Sequence, residues 1–349
     1  MAKSAIAMDT QASVVADAMV AAWQQLQATR ILPEKVEVLQ EEGARSVFRL
    51  HGVGRDGTPV IAKRSDRSTV HHERSVYDEV LPGLQVPHLR SYGVVDEPHS
   101  PNAWLFLEDA LGEPYSPGLT QHRVLAATWL GCMHARAARL ERPPSLRDAG
   151  AEKFQPLLGA ARATIVEVMS NPVLQARDRS LLRSLAAQLD VVHGHWNELV
   201  NFLDRMPQTL VHGDVKADNL RVRTDAVEPA VMAFDWHDGG WGVAALDAAK
   251  FLGYSVNPDI ETYIDVVSES WPWMDRSLIY RLGYAGELFR SIASIRWEVE
   301  RLRYDWVETP IQNLNIYTEW LQEIVVSEPW AEEAVNGPQT RVPKPRTWV

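Results

Sequence analysis

The stretch that decides the fold is Thr209–Phe251, TLVHGDVKADNLRVRTDAVEPAVMAFDWHDGGWGVAALDAAKF. A short apolar run leads into a polar loop that contains Asp214, and Asn219 follows five positions later. A second apolar run then delivers Asp235. Because each apolar run is short and ends in polar residues, we predict two buried strands that present two carboxylates and an amide close together. Oxygen ligands of this kind suit a hard divalent cation such as Mg²⁺, and one of the acids can steer a hydroxyl.

The order and spacing of Asp214, Asn219 and Asp235 resemble those of protein kinases, in which the first Asp orients the attacking hydroxyl and the later residues bind metal. The His-Gly-Asp form of the loop, in place of His-Arg-Asp, resembles the aminoglycoside phosphotransferase and choline kinase family of small-molecule kinases. This resemblance implies a catalytic set of His212, Asp214 and Lys216, with Asn219 and Asp235 holding Mg²⁺. Lys216 stands where aminoglycoside kinases often carry His and protein kinases carry Lys, and the resemblance implies that it contacts the transferring phosphate.

Each of these residues also has an ordinary structural interpretation, because Gly-Asp pairs are common in turns and acids are common at strand ends. The complete ordered set is far less frequent by chance than any one of its members. We therefore interpret the stretch as kinase-like.

The composition is that of a globular protein, with 46% hydrophobic and 23% charged residues in a chain of 349. This length suffices for two lobes with separate cores. The single cysteine, Cys132, excludes an internal disulfide framework and predicts a cytoplasmic location. Asp9 interrupts the apolar N-terminal segment, so no signal peptide is expected. No apolar run approaches the length of a membrane span, and the net charge of −11 argues against a nucleic-acid partner while permitting a cationic substrate.

The region from Val36 onward predicts a meander of short strands, VEVL, VFRLHGV and TPVIAK, with a tight turn before the last of them. Gly52, Gly54 and Gly57 spell GxGxxG, the pattern of dinucleotide-binding loops. A dinucleotide-binding loop opens a helix, whereas a strand follows here. We therefore interpret this segment as a hairpin turn.

The loop Glu42–Ser46, in the preceding hairpin, is the predicted cover of the nucleotide phosphates. Its small residues, Gly43 and Ser46 among them, allow backbone N–H groups to approach a triphosphate. A single glycine between strands is usually only a turn, so the prediction depends on position. A kinase-like N-lobe begins with the same order of elements: a strand, a loop, a second strand, a hairpin and a strand that carries a lysine.

Lys63 ends the run Val60–Lys63, which resembles the Val-Ala-Ile-Lys strand of kinases, whose lysine binds the α and β phosphates. The ordinary alternative is a solvated lysine at a strand terminus. A helix is predicted over His71–Leu84. On this helix Glu73 is the preferred partner for Lys63, and Glu79 is the alternative.

A hinge between the lobes is predicted in the segment WLFLEDA. In kinases the hinge backbone holds the purine, so the resemblance implies nucleotide contacts at Leu107, Glu108 and Ala110. The predicted fold class is α+β, a bilobal protein-kinase-like fold. Residues 1–107 would form a nucleotide-binding lobe with an antiparallel sheet, and residues 108–349 a mainly helical catalytic and substrate-binding lobe.

Further candidates lie in the predicted helical lobe. Asp247 resembles an acid that braces the catalytic loop in the family, although it has the alternative of a helix-start acid. His134 falls in the apolar stripe of a predicted helix and is interpreted as structural. The acids on or before the late helices are candidates for acceptor binding. They are Asp238, Glu287, Glu298 and Asp305.

The predicted activity is Mg²⁺-dependent transfer of the γ-phosphate of ATP or GTP to a hydroxyl of a small molecule, with an antibiotic as the leading acceptor. The first alternative is a metabolic kinase acting on a sugar, an amino alcohol or a similar compound. A protein kinase is disfavoured because the chain runs directly from Asp235 to Asp247, without room for a regulatory activation loop. A pseudokinase-like nucleotide-binding module is the alternative from another class. The intact site residues argue against it, namely Lys63, Asp214, Asn219 and Asp235.

Overall fold

The structure, a computed structural model, describes residues 10–27, 31–43, 45–224, 228–253, 255–327 and 329–330. Its N-terminal part is a five-stranded antiparallel sheet in the order β1-β2-β3-β5-β4. The strands are β1 (Lys35–Glu42), β2 (Arg45–His51), β3 (Val60–Asp66), β4 (Ser91–Asp96) and β5 (Asn102–Glu108). The meander predicted from Val36 is the first half of this sheet. The GxGxxG segment contains a 3₁₀ turn, Arg55–Gly57, and leads into β3 rather than into a helix.

Strand β5 is apolar between its end residues, Asn102 and Glu108, and this apolar part is buried on both faces of the sheet. On one face Trp104 and Phe106 pack against helix α1 (Thr10–Leu26), whose Trp23 ring centre lies 5.3 Å from that of Phe106. On the other face Leu105 belongs to the main core of the molecule. Because side chains alternate along a strand, one continuous apolar run joins the two cores.

Helix α2 (Arg67–Ser75) follows β3 directly and carries one of the predicted site residues. The carboxylate of Asp66 caps it by accepting a hydrogen bond from the N–H of Thr69, at 3.0 Å. The helical path continues through a π turn, Val76–Val80, into α3 (Leu81–Leu84). The helix therefore begins before the predicted start at His71, because its cap lies at the end of β3.

The C-terminal part is mainly helical, and its centre is the long helix α10, which packs against α5, α8 and α11. The helices are α4 (Thr120–Ala137), α5 (Ala151–Val168), α6 (Ala176–Gly194), α7 (Trp196–Leu203), α8 (Ala245–Ala248), α9 (Ile260–Ser268), α10 (Arg276–Arg301) and α11 (Glu308–Ser327). None of the helices in the described ranges is both long and apolar enough to cross a membrane.

Two small sheets hold the polar loops. Strand β7 (Gln208–Val211) pairs with β10 (Gly240–Val243), and β8 (Leu220–Arg223) lies between β6 (Glu113–Pro114) and β9 (Ala230–Ala233). Strands β7 and β9 correspond to the two apolar runs of the deciding stretch. The antiparallel N-terminal sheet and the helical C-terminal part confirm the predicted fold class. The lobe boundary at residue 107 remains a prediction.

Candidate active site

A cleft of about 590 Å³ lies between the N-terminal sheet and the loops that follow β7 and β9. Eight of the predicted site residues line it. They are Lys63, Glu73, Leu107, Glu108, Ala110, Lys216, Asn219 and Asp235. Residues from three separate parts of the sequence thus meet around one cavity.

Lys63 is the central cation of the cleft. Its Nζ lies 2.6 Å from Oε1 of Glu73 and 2.5 Å from Oδ1 of Asp235. Burial alone would lower the pKa of Lys63, but the two carboxylates outweigh burial and raise it. Lys63 lies inside β3, paired with Val47 and Leu105, and not at a strand terminus. The ordinary alternative of a solvated lysine is therefore wrong.

Of the two acids considered as partners of Lys63, Glu73 forms the ion pair and is fully buried. Glu79 instead accepts a hydrogen bond from the hydroxyl of Ser145. Helix α2, which carries Glu73, is also tied to the segment after Asp235. The Nε2 of His72 lies 2.8 Å from the carbonyl oxygen of Gly239, and both groups are buried.

The loop after β7 is shaped by Gly213 and held by Asp247. Gly213 has a φ of +78°, and a Cβ there would lie 2.5 Å from the carbonyl oxygen of Asp238, so only glycine fits. The buried carboxylate of Asp247 accepts hydrogen bonds from the N–H groups of His212 and Gly213, at 2.8 Å and 2.9 Å. It also lies 3.2 Å from Nε2 of His134. Burial raises the pKa of Asp247, but these hydrogen bonds and the neighbouring histidines outweigh burial and lower it.

His212 itself points away from the cleft. Its ring is buried against Trp236, at 4.4 Å between ring centres, and Nε2 lies 3.1 Å from the carbonyl oxygen of Phe234. The side chain thus joins the end of β7 to the end of β9. This contact positions Asp214 and Asp235 relative to each other without bringing the imidazole to the cavity.

The carboxylate of Asp214 has neighbours from its own loop. Oδ2 lies 2.9 Å from Nζ of Lys216 and accepts from Nδ2 of Asn219 at 3.2 Å. A 3₁₀ turn, Ala217–Asn219, brings the amide back to this point, and Nδ2 also donates to the carbonyl oxygen of Asp214. The five-residue spacing noted in the sequence is therefore the length of one tight loop.

Carboxylate groups that could hold a metal converge beside this loop. Ligand atoms of Asp214, Asp235 and His237 lie within 4.8 Å of one another. Burial raises the pKa of Asp235, but the hydrogen bond from His237 and the charge of Lys63 outweigh burial and hold it far below its ordinary value. Two carboxylates with the nearby amide of Asn219 form an oxygen-rich donor set, and this chemistry fits Mg²⁺.

Sequence reasoning missed His237. Its Nδ1 lies 3.0 Å from Oδ1 of Asp235, and its Nε2 lies 3.0 Å from Oδ2 of Asp238. Hydrogen bonds to these two acids raise the pKa of His237 to about 10. The signal was available in the sequence, because His237 stands between two acids at a strand end.

The hinge is fixed by a second residue that sequence reasoning missed, Arg223. Its guanidinium donates to Glu108 Oε1 at 2.8 Å and to the carbonyl oxygens of Asp109 and Ala110 at 2.9 Å and 2.7 Å. The N–H of Glu108 donates to Arg90. The hinge backbone is therefore held in place by an arginine that lies far away in the sequence.

Gly43 and Ser46 do not line the cleft. Gly43 has a φ of +59° at the exposed tip of the β1–β2 hairpin, and Ala44 lies outside the described residues. Ser46 is buried, and its neighbour Val47 lines the cleft. Because side chains alternate along β2, Ser46 can reach a nucleotide only with its backbone. The role of the loop as a phosphate cover remains a prediction.

The four candidate acceptor acids lie in different places. Asp238 is half-exposed beside His237, and Nζ of Lys153 lies 3.9 Å from its carboxylate. Glu287 is buried on α10. Glu298 accepts hydrogen bonds from Arg301 and Asn313, and Asp305 lines a separate surface cavity. The four acids therefore do not form one acidic acceptor pocket.

Known structures resemble this one over almost its whole length. Choline kinase from Cryptosporidium parvum Iowa II has a TM-score of 0.58 at 14% identity, over 90% of this chain and 97% of that chain. The streptomycin–ATP–APH(2")-IIa ternary complex has a TM-score of 0.58 at 13% identity, over 91% and 99%. An ethanolamine kinase from Plasmodium vivax has a TM-score of 0.54 at 11% identity, over 90% of each chain. At these identities the likeness establishes the protein-kinase-like fold.

Comparison with curated protein sequences gave no match. The family model described as APH, phosphotransferase enzyme family, matches residues 36–275, which include the β-sheet, the hinge and both polar loops. The match covers well over half of the chain, and the expected resemblance is confirmed. The chain therefore belongs to the APH phosphotransferase enzyme family, whose fold is that of the small-molecule kinases.

Proposed function

We propose that this protein transfers the γ-phosphate of a nucleoside triphosphate, ATP or GTP, to a hydroxyl group of a small molecule. The observation that supports this most directly is the position of Lys63 between Glu73 and Asp235, in one cleft with Asn219. Asp214 does not itself line this cleft, but its carboxylate contacts Asn219 and Lys216, which do. Phosphoryl transfer requires a lysine for the phosphates, an acid that binds metal and an acid that acts on the hydroxyl, and these three lie at or next to the cleft.

On the donor side, Lys63 binds the α and β phosphates, and Glu73 holds the ammonium group in position. Asp235 and Asn219 hold Mg²⁺, which, when bound, neutralises charge on the phosphate oxygens. The hinge segment from Leu107 to Ala110 receives the purine. The N–H of Ala110 has no hydrogen-bond partner among the described residues, so it is available to a base.

On the acceptor side, Asp214 orients the hydroxyl and accepts its proton as the oxygen attacks the γ-phosphorus. The bond from that phosphorus to the β–γ bridging oxygen breaks, and the nucleoside diphosphate leaves. Lys216 stabilises the developing charge on the transferred group. His212 and Asp247 act through the backbone, by fixing the loop that presents Asp214.

An antibiotic is the first acceptor class to test, because one neighbouring structure is a complex with streptomycin and ATP. A metabolite is the second class, because other neighbours are choline and ethanolamine kinases. The single cysteine, half-buried Cys132, fits a reducing cytoplasm as the place of the reaction.

The test is a screen of the purified protein with Mg²⁺, with ATP or GTP, and with a library of antibiotics and hydroxylated metabolites. The expected result is a product heavier by one phosphate that forms with wild-type protein and not with Asp214→Asn. Nucleotide binding without transfer to any hydroxyl compound would favour a nucleotide-binding module instead.

A further inference from the structure

The two oxygens of the Asp214 carboxylate face different surroundings. Oδ2 contacts Lys216 and Asn219, both of which line the nucleotide cleft. Oδ1 lies 3.9 Å from Nη1 of Arg290, a residue of α10 that is not among the described residues lining that cleft. An acceptor that reaches Asp214 from the side opposite the nucleotide therefore meets Arg290.

Arg290 is held at this point and still reaches solvent. Its Nη1 lies 3.5 Å from the carbonyl oxygen of Gly213, and 19% of its side chain is exposed. A guanidinium presents several N–H donors in a planar fork that matches the geometry of carboxylate and phosphate groups. Its place beside the proposed base suits the recognition of an anion.

A second cation, Lys250, lies behind Arg290. It belongs to the 3₁₀ turn Ala249–Leu252 and is 1% exposed. Burial, and then the charge of Arg290, lower the pKa of Lys250 to about 8, against the opposing effect of Glu287 and Asp214. Lys250 and Glu287 are both buried and offset each other, so Arg290 is the partly exposed cation on this side of Asp214.

The remaining nearby acids are engaged by other groups. Asp238 is paired with His237 and Lys153. Both oxygens of Asp247 accept backbone N–H groups of the catalytic loop. Glu287 is buried beside Lys250. A cationic group of an acceptor would therefore meet the like charge of Arg290 beside the base, whereas an anionic group would be attracted to it.

We propose that the acceptor carries an anionic group, a carboxylate or a phosphate, close to the hydroxyl that receives the phosphoryl group, and that Arg290 binds this group. The inference rests on the proposed function, because it takes Asp214 as the base. The anionic group keeps its bonds during the reaction, while the neighbouring hydroxyl loses its proton to Asp214 and gains the γ-phosphoryl group.

The test uses matched pairs of acceptors with wild-type protein, Mg²⁺ and ATP. Hydroxycarboxylates are compared with their amides, sugar phosphates with the free sugars, and amino alcohols and aminoglycosides form the cationic set. We expect the anionic member of at least one pair to have the higher kcat/KM, by about tenfold or more. The two sets of pairs separate a carboxylate from a phosphate. A preference for the cationic set would overturn the inference and leave the proposed function intact.

Variants of Arg290 assign the effect to this residue. Arg290→Gln should raise the KM for the anionic acceptor by about tenfold or more, with little change for its neutral partner or for ATP. Arg290→Lys should recover part of the lost affinity for the anionic acceptor, because lysine keeps the positive charge but lacks the planar fork of N–H donors. Arg162→Gln, at a surface arginine paired with Asp190, is the matched control. Equal effects of Arg290→Gln on both members of a pair would contradict the proposal.

If no compound in the panel is phosphorylated, a direct measurement of anion binding tests whether Arg290 forms an anion site. Inorganic phosphate is titrated by calorimetry into protein saturated with Mg²⁺ and a non-hydrolysable ATP analogue. Binding that is lost in Arg290→Gln supports the anion site. Binding that is absent, or unchanged in the variant, overturns it. Failure of the protein to bind the nucleotide at all would instead refute the proposed function.

Discussion

The ammonium nitrogen of Lys63 lies 2.6 Å from the buried carboxylate of Glu73, and this pair joins the middle of the N-terminal sheet to helix α2. The same nitrogen lies 2.5 Å from Asp235, in the loop after β9. Lys63 thus joins strand β3 to helix α2, which follows it, and to the loop after β9, which is distant in sequence. Its loss affects both the folded state and the proposed nucleotide site.

Lys63→Met should abolish nucleotide turnover and also destabilise the protein. Glu73 would be left buried without its partner, and breaking a buried ion pair from one side costs about 3–5 kcal/mol. The double variant Lys63→Met, Glu73→Gln removes the uncompensated charge, so it should recover much of the stability and none of the turnover. Urea unfolding and nucleotide-binding calorimetry measure the two effects.

Glu79→Gln is the matched control, because Glu79 contacts Ser145 and not Lys63. A single variant as stable as wild type would show that the pair does not support the fold.

Asp214→Asn and Asp235→Asn should fail in different ways. Asp214→Asn keeps the shape of the side chain but removes the base, so transfer should fall by roughly 10²–10⁴ while Mg²⁺-nucleotide binding survives. Asp235→Asn replaces a charged metal ligand with a neutral amide, so the metal dependence of nucleotide affinity should change together with turnover. Calorimetry with Mg²⁺ and a non-hydrolysable nucleotide separates the two variants. If binding were lost in the first variant and kept in the second, the roles would be reversed.

Asp247→Asn should loosen the catalytic loop. An amide offers one acceptor oxygen where the carboxylate offers two, so the N–H of His212 or that of Gly213 loses its partner, at a cost of about 1–3 kcal/mol for a buried group. We expect faster hydrogen exchange at these two amides and a lower kcat with little change in nucleotide affinity. Asp190→Asn, on the surface of α6, serves as the control. Unchanged exchange at both amides would argue against the bracing role.

Asp66 should stabilise the start of α2 in a pH-dependent way. Burial opposes its charge, but hydrogen bonds from Thr69 and Ser68 outweigh burial and lower the pKa of Asp66 to about 2. The unfolded side chain has a pKa of about 3.9, so the contribution of the charge is fully present above about pH 4 and is lost as the pH falls through about 2.

The variants Asp66→Ala and Asp66→Asn test this contribution. Asp66→Ala should lose about 0.5–2 kcal/mol of stability near neutral pH, because it removes the helix cap. Asp66→Asn should keep most of the cap and lose only its pH dependence. Urea unfolding from pH 2 to 7 makes the comparison. If the stability of Asp66→Asn depended on pH as that of the wild type does, the carboxylate of Asp66 would not be the cause of that dependence.

The sequence predicts those parts of the fold and site that local patterns encode. Short apolar runs that end in polar residues predict three parts of the structure. These are the strands around Lys63, the loop that carries Asp214 and Asn219, and the strand before Asp235. A resemblance of ordered motifs then places these parts in one cleft. Residue spacing within one loop or strand is a local property, and for this reason it can be read from the chain alone.

Contacts between distant segments could not be predicted in this way. Arg223 fixes the hinge across more than a hundred residues, and Arg49 reaches Asp109 at 2.5 Å, yet neither arginine has a distinctive local pattern. Gly240 and Gly242 lie in strand β10, although glycine is usually depleted in strands. Glycine is needed at position 240 because a Cβ there would lie 2.6 Å from the carbonyl oxygen of Arg147. Such close approaches depend on the assembled fold.

The hydrogen bond between His72 and Gly239 fixes the position of helix α2. In protein kinases, activation depends on moving the helix whose glutamate pairs with the strand lysine. Here that helix is fastened to the segment following Asp235 by a buried contact, and Lys63 already meets Glu73. In this structure the Lys63–Glu73 pair is therefore already formed, and no displacement of helix α2 is needed to bring the two side chains together.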